Sequence, residues 1–188
     1  MRARENPFRS DRLLSLRYRL QQGSWEDLLA RFASLGRRAA IVGPQGTGKT
    51  TLLEDLAPRF RDAGYRVREL RLDEETPGYD PAVLESLTPR DVILFDGAEQ
   101  LGRFAWSSFE RRSRGAGGLL ITVHQPGRLP TLLETQTSPE LLAGLVDQIL
   151  GAGSAARPLA SALFAKHRGN LREALRDLYD HMAQTDTV

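Results

Sequence analysis

The sequence predicts an α/β fold, a three-layer αβα sandwich in which helices cover both faces of a mostly parallel five-stranded sheet. Short apolar runs alternate with helical patterns, and three of them are continuously apolar: Ala39–Val42, Val92–Phe95 and Leu119–Val123. Strands that are buried on both faces have this composition, so we expect these three at the centre of the sheet. The charged run Tyr65–Leu72 suits an edge, and Thr131–Thr135 is expected to be a short fifth strand.

Length and composition indicate a globular chain without a membrane span. The chain has 188 residues, of which 40% are hydrophobic and 27% are charged. No apolar run approaches the roughly 20 residues that a bilayer span needs, and the first residues lack the apolar segment of a secretory signal. The absence of cysteine excludes disulfides, thiolate catalysis and Cys-based zinc sites. We therefore expect a cytoplasmic protein.

The charge distribution separates the start of the chain from the rest. Residues 1–38 hold nine arginines against four acidic residues, whereas the remainder is net negative. We predict a basic N-terminal helical segment over residues 1–37, an α/β core over 38–137 and a C-terminal helical lid over 138–188. Such a basic segment could bind nucleic acid, anionic lipid or an acidic protein, and the alternative is a solvated helix.

Two helices are predicted before the first strand. The first begins at Asn6-Pro7 and ends at Gly23, because three leucines fall at helical spacing: Leu13, Leu16 and Leu20. The second begins at Ser24, which forms a variant of the capping box with Asp27, and it ends at Gly36.

Further helices are predicted within the core and the lid. Pro58 is expected to kink or shorten the helix that follows the first strand. A helix is predicted over Gln100–Arg114, with Trp106 off its inner face and available to a partner. The predicted inner face consists of Leu101, Phe104, Ala105, Ser108 and Phe109. The lid is predicted as three helices, which begin at the Ser138 cap, near Pro158 and at the Asn170 cap.

One segment carries a complete phosphate-binding motif. Residues 43–50 read GPQGTGKT and match G-x-x-x-x-G-K-[ST], after an apolar strand and at the start of a helix. Glycines let backbone amides surround phosphate oxygens, and the helix N-terminus favours negative charge. Lys49 is expected to reach the β- and γ-phosphates, and Thr50 to offer its hydroxyl to Mg²⁺. The predicted nucleotide-binding residues here are Gly43, Pro44, Gln45, Gly46, Thr47, Gly48, Lys49, Thr50 and Thr51.

Asp96 directly follows the apolar run Val92–Phe95. A carboxylate at the carboxyl end of a neighbouring strand can hold Mg²⁺ or its water shell, so Asp96 is the predicted partner of Thr50 in a metal site. The alternative is that Asp96 caps the helix that follows.

Four stretches together make the chain resemble the AAA+ ATPases, within the P-loop class: GPQGTGKT, VILFDGAEQL, LLITVHQPG and GNLREALRDL. The resemblance covers residues 38–180 and is nearest to small ATPases of transposition, secretion and helicase loading. It implies ATP and Mg²⁺ as cofactors, the sheet order 5-1-4-3-2 and a helical lid. It also implies nucleotide-controlled assembly into oligomers or binding of a protein partner.

The resemblance assigns roles to further residues and exposes one departure. The family has a glutamate directly after the Walker B aspartate, where this chain has Gly97, so Glu99 is the candidate for orienting the attacking water. His124 and Gln125 occupy the place of the polar sensor after the fourth strand. Arg172 resembles the lid arginine that contacts phosphate. Four arginines are unranked candidates for a finger that reaches a neighbouring subunit: Arg111, Arg112, Arg114 and Arg128.

Three functions remain open at this point. The leading hypothesis is an ATPase in which Mg·ATP orders the lid and switches binding to a macromolecular partner, with Lys49, Asp96, Glu99 and Arg172 as catalytic residues. The second is a small-molecule or nucleotide kinase with the same fold. The third is a nucleotide-binding regulatory module without turnover, which Gly97 motivates.

Overall fold

Five strands form one parallel sheet in the computed structural model, which describes residues 16–73, 78–151 and 157–185. Their order is β2-β3-β4-β1-β5, and every neighbouring pair is parallel. The strands are β1 (Arg38–Val42), β2 (Arg66–Arg71), β3 (Asp91–Asp96), β4 (Gly118–Val123) and β5 (Thr131–Glu134). The predicted order 5-1-4-3-2 is the same order read from the other edge, so this prediction is confirmed.

Helices cover both faces of the sheet, which confirms the predicted sandwich. The helices along the strand-bearing part are α1 (Trp25–Ser34), α2 (Lys49–Asp62) and α3 (Arg103–Arg112). Short 3₁₀ turns lie at Pro81–Leu84, Ala98–Gln100 and Ser113–Gly115. The C-terminal helices are α4 (Pro139–Leu150), α5 (Arg157–Lys166) and α6 (Leu171–Thr185). None of the helices in the described ranges is long and apolar enough to cross a membrane.

Alternation along the central strands builds two separate apolar layers. In β3, Val92 and Leu94 face a cluster that includes α1 and α2, while Ile93 and Phe95 face a cluster that includes α3. Side chains alternate between the faces of a strand, so a continuously apolar strand must be covered on both sides. Strand β2 is half exposed and lies at the edge of the sheet, as its charged sequence predicted.

Residues 16–23, the described part of the first predicted helix, are not helical. Residues 16–20 have no regular secondary structure and residues 21–23 form bends, while residues 1–15 lie outside the described ranges. The backbone N–H of Tyr18 donates to the Asp55 carboxylate of α2 at 2.6 Å, and Tyr18 and Leu20 pack on the apolar cluster. Contacts with α2 therefore replace the i→i−4 hydrogen bond that a helix would require at Tyr18.

Helix α1 begins at the predicted cap. The Ser24 hydroxyl accepts from the Asp27 backbone, and the Asp27 carboxylate accepts from the Ser24 backbone. Helix α2 contains Pro58 and still runs to Asp62, so Pro58 does not shorten it, and the alternative of a kink stays a prediction. Pro58 is exposed, and water can satisfy the carbonyl that a proline leaves without its helical donor.

The inner face of α3 also differs from the prediction. Trp106 and Phe109 are buried, whereas Phe104 is 95% exposed and Ala105 is exposed. Leu101 lies in the turn before the helix, which begins only at Arg103, so its position does not set the helical phase. Trp106 is therefore a core residue, and the prediction that it marks a partner surface is wrong.

The described chain divides into two units. One contains Tyr18–Gly43 and Lys49–Thr135, and the other contains Pro44–Gly48 with the chain from Gln136 onward. The second unit has its own apolar cluster, formed by Leu142, Leu145, Val146, Ala160, Leu171, Ala174, Leu175 and Leu178 among others. Its predicted caps are present: Ser138 accepts from the Leu141 backbone, and Asn170 accepts from the Glu173 backbone.

Candidate functional site

The motif GPQGTGKT forms the turn between β1 and α2. Lys49 is buried, and its ammonium group donates to the Gly43 carbonyl at 2.7 Å. The Thr47 hydroxyl donates to the Pro44 carbonyl at 2.8 Å. Both hydrogen bonds therefore join residues within the motif. The N-terminal amides of a helix that begins at Lys49 have no partner within the helix, so this turn offers donors and a positive charge to an anion.

Gly46 is the point at which this loop meets the start of α6. Its φ of +75° lies in the left-handed region, and a Cβ added there would lie 1.8 Å from the Asn170 side-chain oxygen. The Leu171 N–H donates to the Gly46 carbonyl at 3.1 Å. Arg172, the next residue, is exposed on the first turn of α6. The predicted lid arginine is thus one residue from a backbone contact with the loop.

The two predicted metal residues are in contact. The Thr50 hydroxyl donates to Asp96 Oδ2 at 2.9 Å, although the residues are 46 positions apart. Arg71 Nε lies 3.8 Å from the same oxygen. The Thr122 hydroxyl, from the neighbouring strand β4, donates to Asp96 Oδ1 at 2.6 Å. Sequence reasoning did not select Thr122; the signal was a hydroxyl within the otherwise apolar run Leu119–Val123.

Gly97 occupies a position that no other residue fits. Its φ is +80°, and a Cβ would lie 2.1 Å from the Leu72 carbonyl oxygen. Its N–H donates to the Thr122 hydroxyl at 2.8 Å. The backbone itself therefore explains why glycine follows Asp96, at the position where the AAA+ pattern considered in the sequence analysis has glutamate.

Glu99 lies in the 3₁₀ turn after Gly97 and pairs with the predicted sensor His124. Glu99 Oε1 is 3.1 Å from His124 Nε2. Gln125 is exposed beside it. Among the described residues, Glu99 Oε2 and Arg128 Nη1 are both buried atoms without a hydrogen-bond partner. The structure thus brings together two predicted site residues, with unused hydrogen-bonding capacity at Glu99.

Arg128 is held by its own chain. It donates to the Leu101 carbonyl at 2.5 Å, and its guanidinium lies 5.0 Å from the centre of the Trp106 ring. Burial lowers the pKa of Arg128, and the Glu99 charge opposes that shift. Arg128 therefore supports the turn that carries Glu99, which sets it apart from the other arginines named as finger candidates.

A groove of about 180 Å³ lies beside the Thr50–Asp96 contact. Glu54, Glu69 and Arg71 also line it. Burial raises the pKa of Glu54; Arg71 opposes the shift, and the Asp96 charge adds to it. This groove has room for a hydrated cation next to the two predicted metal residues.

The donor set fits Mg²⁺ in the manner of a P-loop site. No group of three or more metal-binding side chains occurs in the part of the chain that the structure describes. One hydroxyl and one carboxylate are sufficient where phosphate oxygens and water complete the octahedron, as they do around Mg²⁺ bound with a nucleotide. Thr50 and Asp96 fit that arrangement because their oxygens already lie within hydrogen-bond distance.

Comparisons with known proteins give partial similarity. No family model matches the chain. ATP-binding cassette sub-family F member 3 of Rattus norvegicus is 33% identical over 86 residues, which are 46% of this chain and 12% of that protein. The Mus musculus and Homo sapiens proteins are each 38% identical over 61 residues, or 9% of their length. This chain therefore corresponds to a small part of these relatives.

Solved structures of Thermotoga maritima RuvB mutants are similar in fold. Two of them have TM-scores of 0.49 at 18% and 17% identity, over 81% of this chain and 60% of theirs. In this chain, the loop of residues 43–50, the Walker A loop, follows β1 of a parallel sheet with the order 2-3-4-1-5. The chain's own topology therefore has the fold that the resemblance implied, a five-stranded parallel sheet with the predicted strand order.

Proposed function

We propose that this chain binds Mg·ATP and hydrolyses it slowly, and that nucleotide state switches its binding to a macromolecular partner. The observation that carries the proposal is the Walker A loop with Thr50 and Asp96 in contact at its base. A Gly-rich turn without function would not need an aspartate from another strand bonded to its threonine.

The residues of the loop would share the work of holding the triphosphate. Backbone amides of residues 46–50 point donors at phosphate oxygens, and Lys49 exchanges its bond to the Gly43 carbonyl for the β- and γ-phosphates. Thr50 and Asp96 hold Mg²⁺, which when bound neutralises charge on the phosphate oxygens. Arg172 adds a charged donor from α6.

A second cavity offers space for the nucleoside part of a nucleotide. It measures about 450 Å³ and lies between α1, the segment before it and β5. Glu134 of β5 lines it and pairs with Val42, the residue before the loop. The cavity is proposed as the nucleoside site on the basis of its volume and of this strand pairing.

Hydrolysis is assigned to Glu99 with His124. The Glu99 carboxylate orients the attacking water and accepts its proton, while His124 fixes the carboxylate through the bond at 3.1 Å. Gln125 is the second polar group at this position. Replacement of Glu99 by glutamine keeps the shape and removes the base, so Glu99→Gln should retain ATP binding and lose turnover.

One observation favours a second candidate, a regulatory module that binds nucleotide without turnover. The position of the family's glutamate is closed to every side chain at Gly97, and Glu99 is already bonded to His124. A phosphate-release assay separates the two candidates: the module predicts that wild type and Glu99→Gln have the same background rate.

Calorimetric titration with ATP in Mg²⁺ tests the nucleotide site. Lys49→Ala should abolish binding, because it removes the cation inside the loop. The chain offers a matched control, since Lys166 is its only other lysine and pairs with Asp177 on the C-terminal helices. Lys166→Ala should bind like wild type. Equal affinity in all three proteins would refute the site.

The partner is proposed to be a protein, with assembly into oligomers as one form of the switch. Nucleic acid is the further partner class proposed for the arginine-rich residues 1–37, of which residues 1–15 lie outside the described ranges. Such binding should weaken steeply with salt, because each phosphate contact releases counterions. A cytoplasmic location is proposed because a chain without cysteine needs no oxidising compartment.

A further inference from the structure

Thr122 is a polar residue in an apolar environment. It is 1% exposed, in a strand whose other residues are also buried. Its hydroxyl makes two hydrogen bonds: it donates to Asp96 Oδ1 at 2.6 Å and accepts from the Gly97 N–H at 2.8 Å. A buried hydroxyl is tolerated when it is hydrogen-bonded in this way. Both partners here lie at the carboxyl end of β3, where Gly97 follows Asp96.

The register of the sheet explains how Thr122 reaches this turn. Strands β3 and β4 are parallel neighbours, and Phe95 is paired with Ile121. The next residues along the two strands are Asp96 and Thr122, so their side chains leave the sheet side by side at its carboxyl end.

The consequence is a carboxylate with a fixed orientation. Thr122 bonds Oδ1 of Asp96, and Thr50 bonds Oδ2. A carboxylate that is free to rotate could present either oxygen, or both, to a cation. With Oδ1 held by β4, Oδ2 is the oxygen presented to the Thr50 side.

We propose that Thr122 is a positioning residue for magnesium: it holds the Asp96 carboxylate so that one oxygen is presented to Mg²⁺ beside Thr50. This inference rests on the proposed function and adds a residue to it that contacts neither nucleotide nor metal. Loss of a group that orients a metal ligand reduces metal affinity by about 10–100-fold in metalloproteins, and we expect an effect in that range.

The test measures how the ATP affinity depends on Mg²⁺ concentration. Thr122→Val removes the hydroxyl and keeps the branched shape. We expect this substitution to raise, by about 10–100-fold, the Mg²⁺ concentration that gives half of the maximal increase in ATP affinity. ATP affinity in EDTA should be unchanged, because the loop amides and Lys49 do not depend on Thr122. Thr122→Ser restores a hydroxyl and should return the Mg²⁺ dependence toward the wild-type value.

Thr88 provides a matched control, because it lies just before β3, at the end of that strand opposite to Asp96. Its hydroxyl donates to Asp91 Oδ2 at 2.7 Å, so Thr88→Val removes the same kind of bond where β3 begins. This variant should keep the wild-type Mg²⁺ dependence even if it lowers stability. Circular dichroism of each variant reports whether it is folded.

The outcomes are distinguishable. A folded Thr122→Val protein with wild-type Mg²⁺ dependence would overturn the inference, as would an equal loss of ATP affinity in EDTA, which indicates a structural role. If Thr122→Val does not fold, Thr122→Ser and Thr122→Ala supply the comparison, and equal Mg²⁺ dependence in those two is the overturning result. Failure of the wild-type protein to bind ATP would refute the proposed function instead.

Discussion

Strand β3 carries an aspartate at each end, and their surroundings give them different tasks. Asp91 is buried at the start of the strand. Burial raises the pKa of its carboxyl, but hydrogen bonds from Thr88 and the Arg68 guanidinium outweigh this effect and lower the pKa to about 2. Arg66 adds a second ion pair. Asp96, at the other end, instead meets two hydroxyls and a groove with room for a cation. Asp91 therefore stabilises the fold, and Asp96 remains available to a ligand.

The depressed pKa of Asp91 gives stability a defined pH dependence. A carboxyl whose pKa is lower in the folded state stabilises above its unfolded value, here 3.8, and this contribution is lost as pH falls towards 2. The difference between the two values corresponds to about 2 kcal/mol. In urea unfolding, Asp91→Asn should be destabilised at pH 7, and the gap from wild type should narrow towards pH 3. A gap that does not change with pH would contradict this assignment.

At Gly97, the structure and the AAA+ sequence pattern lead to opposite predictions for a substitution by glutamate. Gly97→Glu introduces the glutamate of the AAA+ pattern, and it should lower stability without raising the rate of phosphate release from ATP, because the backbone is left-handed and a Cβ meets the Leu72 carbonyl. A non-glycine residue in such a conformation costs about 1–3 kcal/mol, before the clash is counted. Gly78→Ala is the matched control, since nothing lies within 4 Å of its added Cβ. Wild-type stability with increased turnover in Gly97→Glu would show that the turn can adjust.

At the scale of elements, local capping and apolar continuity were readable from the sequence, and tertiary contacts were not. The starts of α1, α4 and α6 followed from their caps, and the central strands followed from their apolar runs. The segment before α1 reads as helical, but a backbone bond to Asp55 holds Tyr18 in another conformation. Long-range partners of this kind leave no periodic signal.

In the candidate site, too, the local motifs could be predicted from the sequence and the tertiary contacts could not. Walker A and Asp96 are recognisable because their chemistry is local in sequence. Their contact forms at the carboxyl ends of β1 and β3, which β4 separates in the sheet. The phase of α3 was missed because Leu101 precedes the helix, which exposes Phe104 and buries Trp106. Thr122 was missed because its role depends on the register of β3 and β4, which only the structure supplies.

The junction between the loop and α6 can be tested as an element pair. Gly46→Ala places a Cβ against Asn170 and forces alanine into a left-handed conformation, so it should destabilise the protein by at least the 1–3 kcal/mol of the strain. Asn170→Ala removes the cap and should cost about 1 kcal/mol. In the double variant the clash is absent, so urea unfolding should give a loss smaller than the sum. Strict additivity would show that the two residues do not interact.

At the scale of the whole molecule, nucleotide should couple to stability. Pro44–Gly48 belong to the same unit as the C-terminal helices. A ligand bound to the loop should therefore stabilise those helices as well as the loop. With Mg·ATP at one hundred times its dissociation constant, we expect about 2.7 kcal/mol of added stability. Hydrogen exchange should show added protection at the loop and at the Leu171 amide, which donates to Gly46. Protection confined to other segments, with none at the loop, would argue against this coupling.

A crystal structure of the chain with Mg²⁺ and a non-hydrolysable ATP analogue tests the central claim most directly. We predict that the triphosphate lies within the turn of residues 43–50, with Lys49 at its terminal phosphates and Mg²⁺ between the Thr50 hydroxyl and Asp96. Density for the analogue elsewhere, with Lys49 still bonded to the Gly43 carbonyl and no cation beside Asp96, would contradict it.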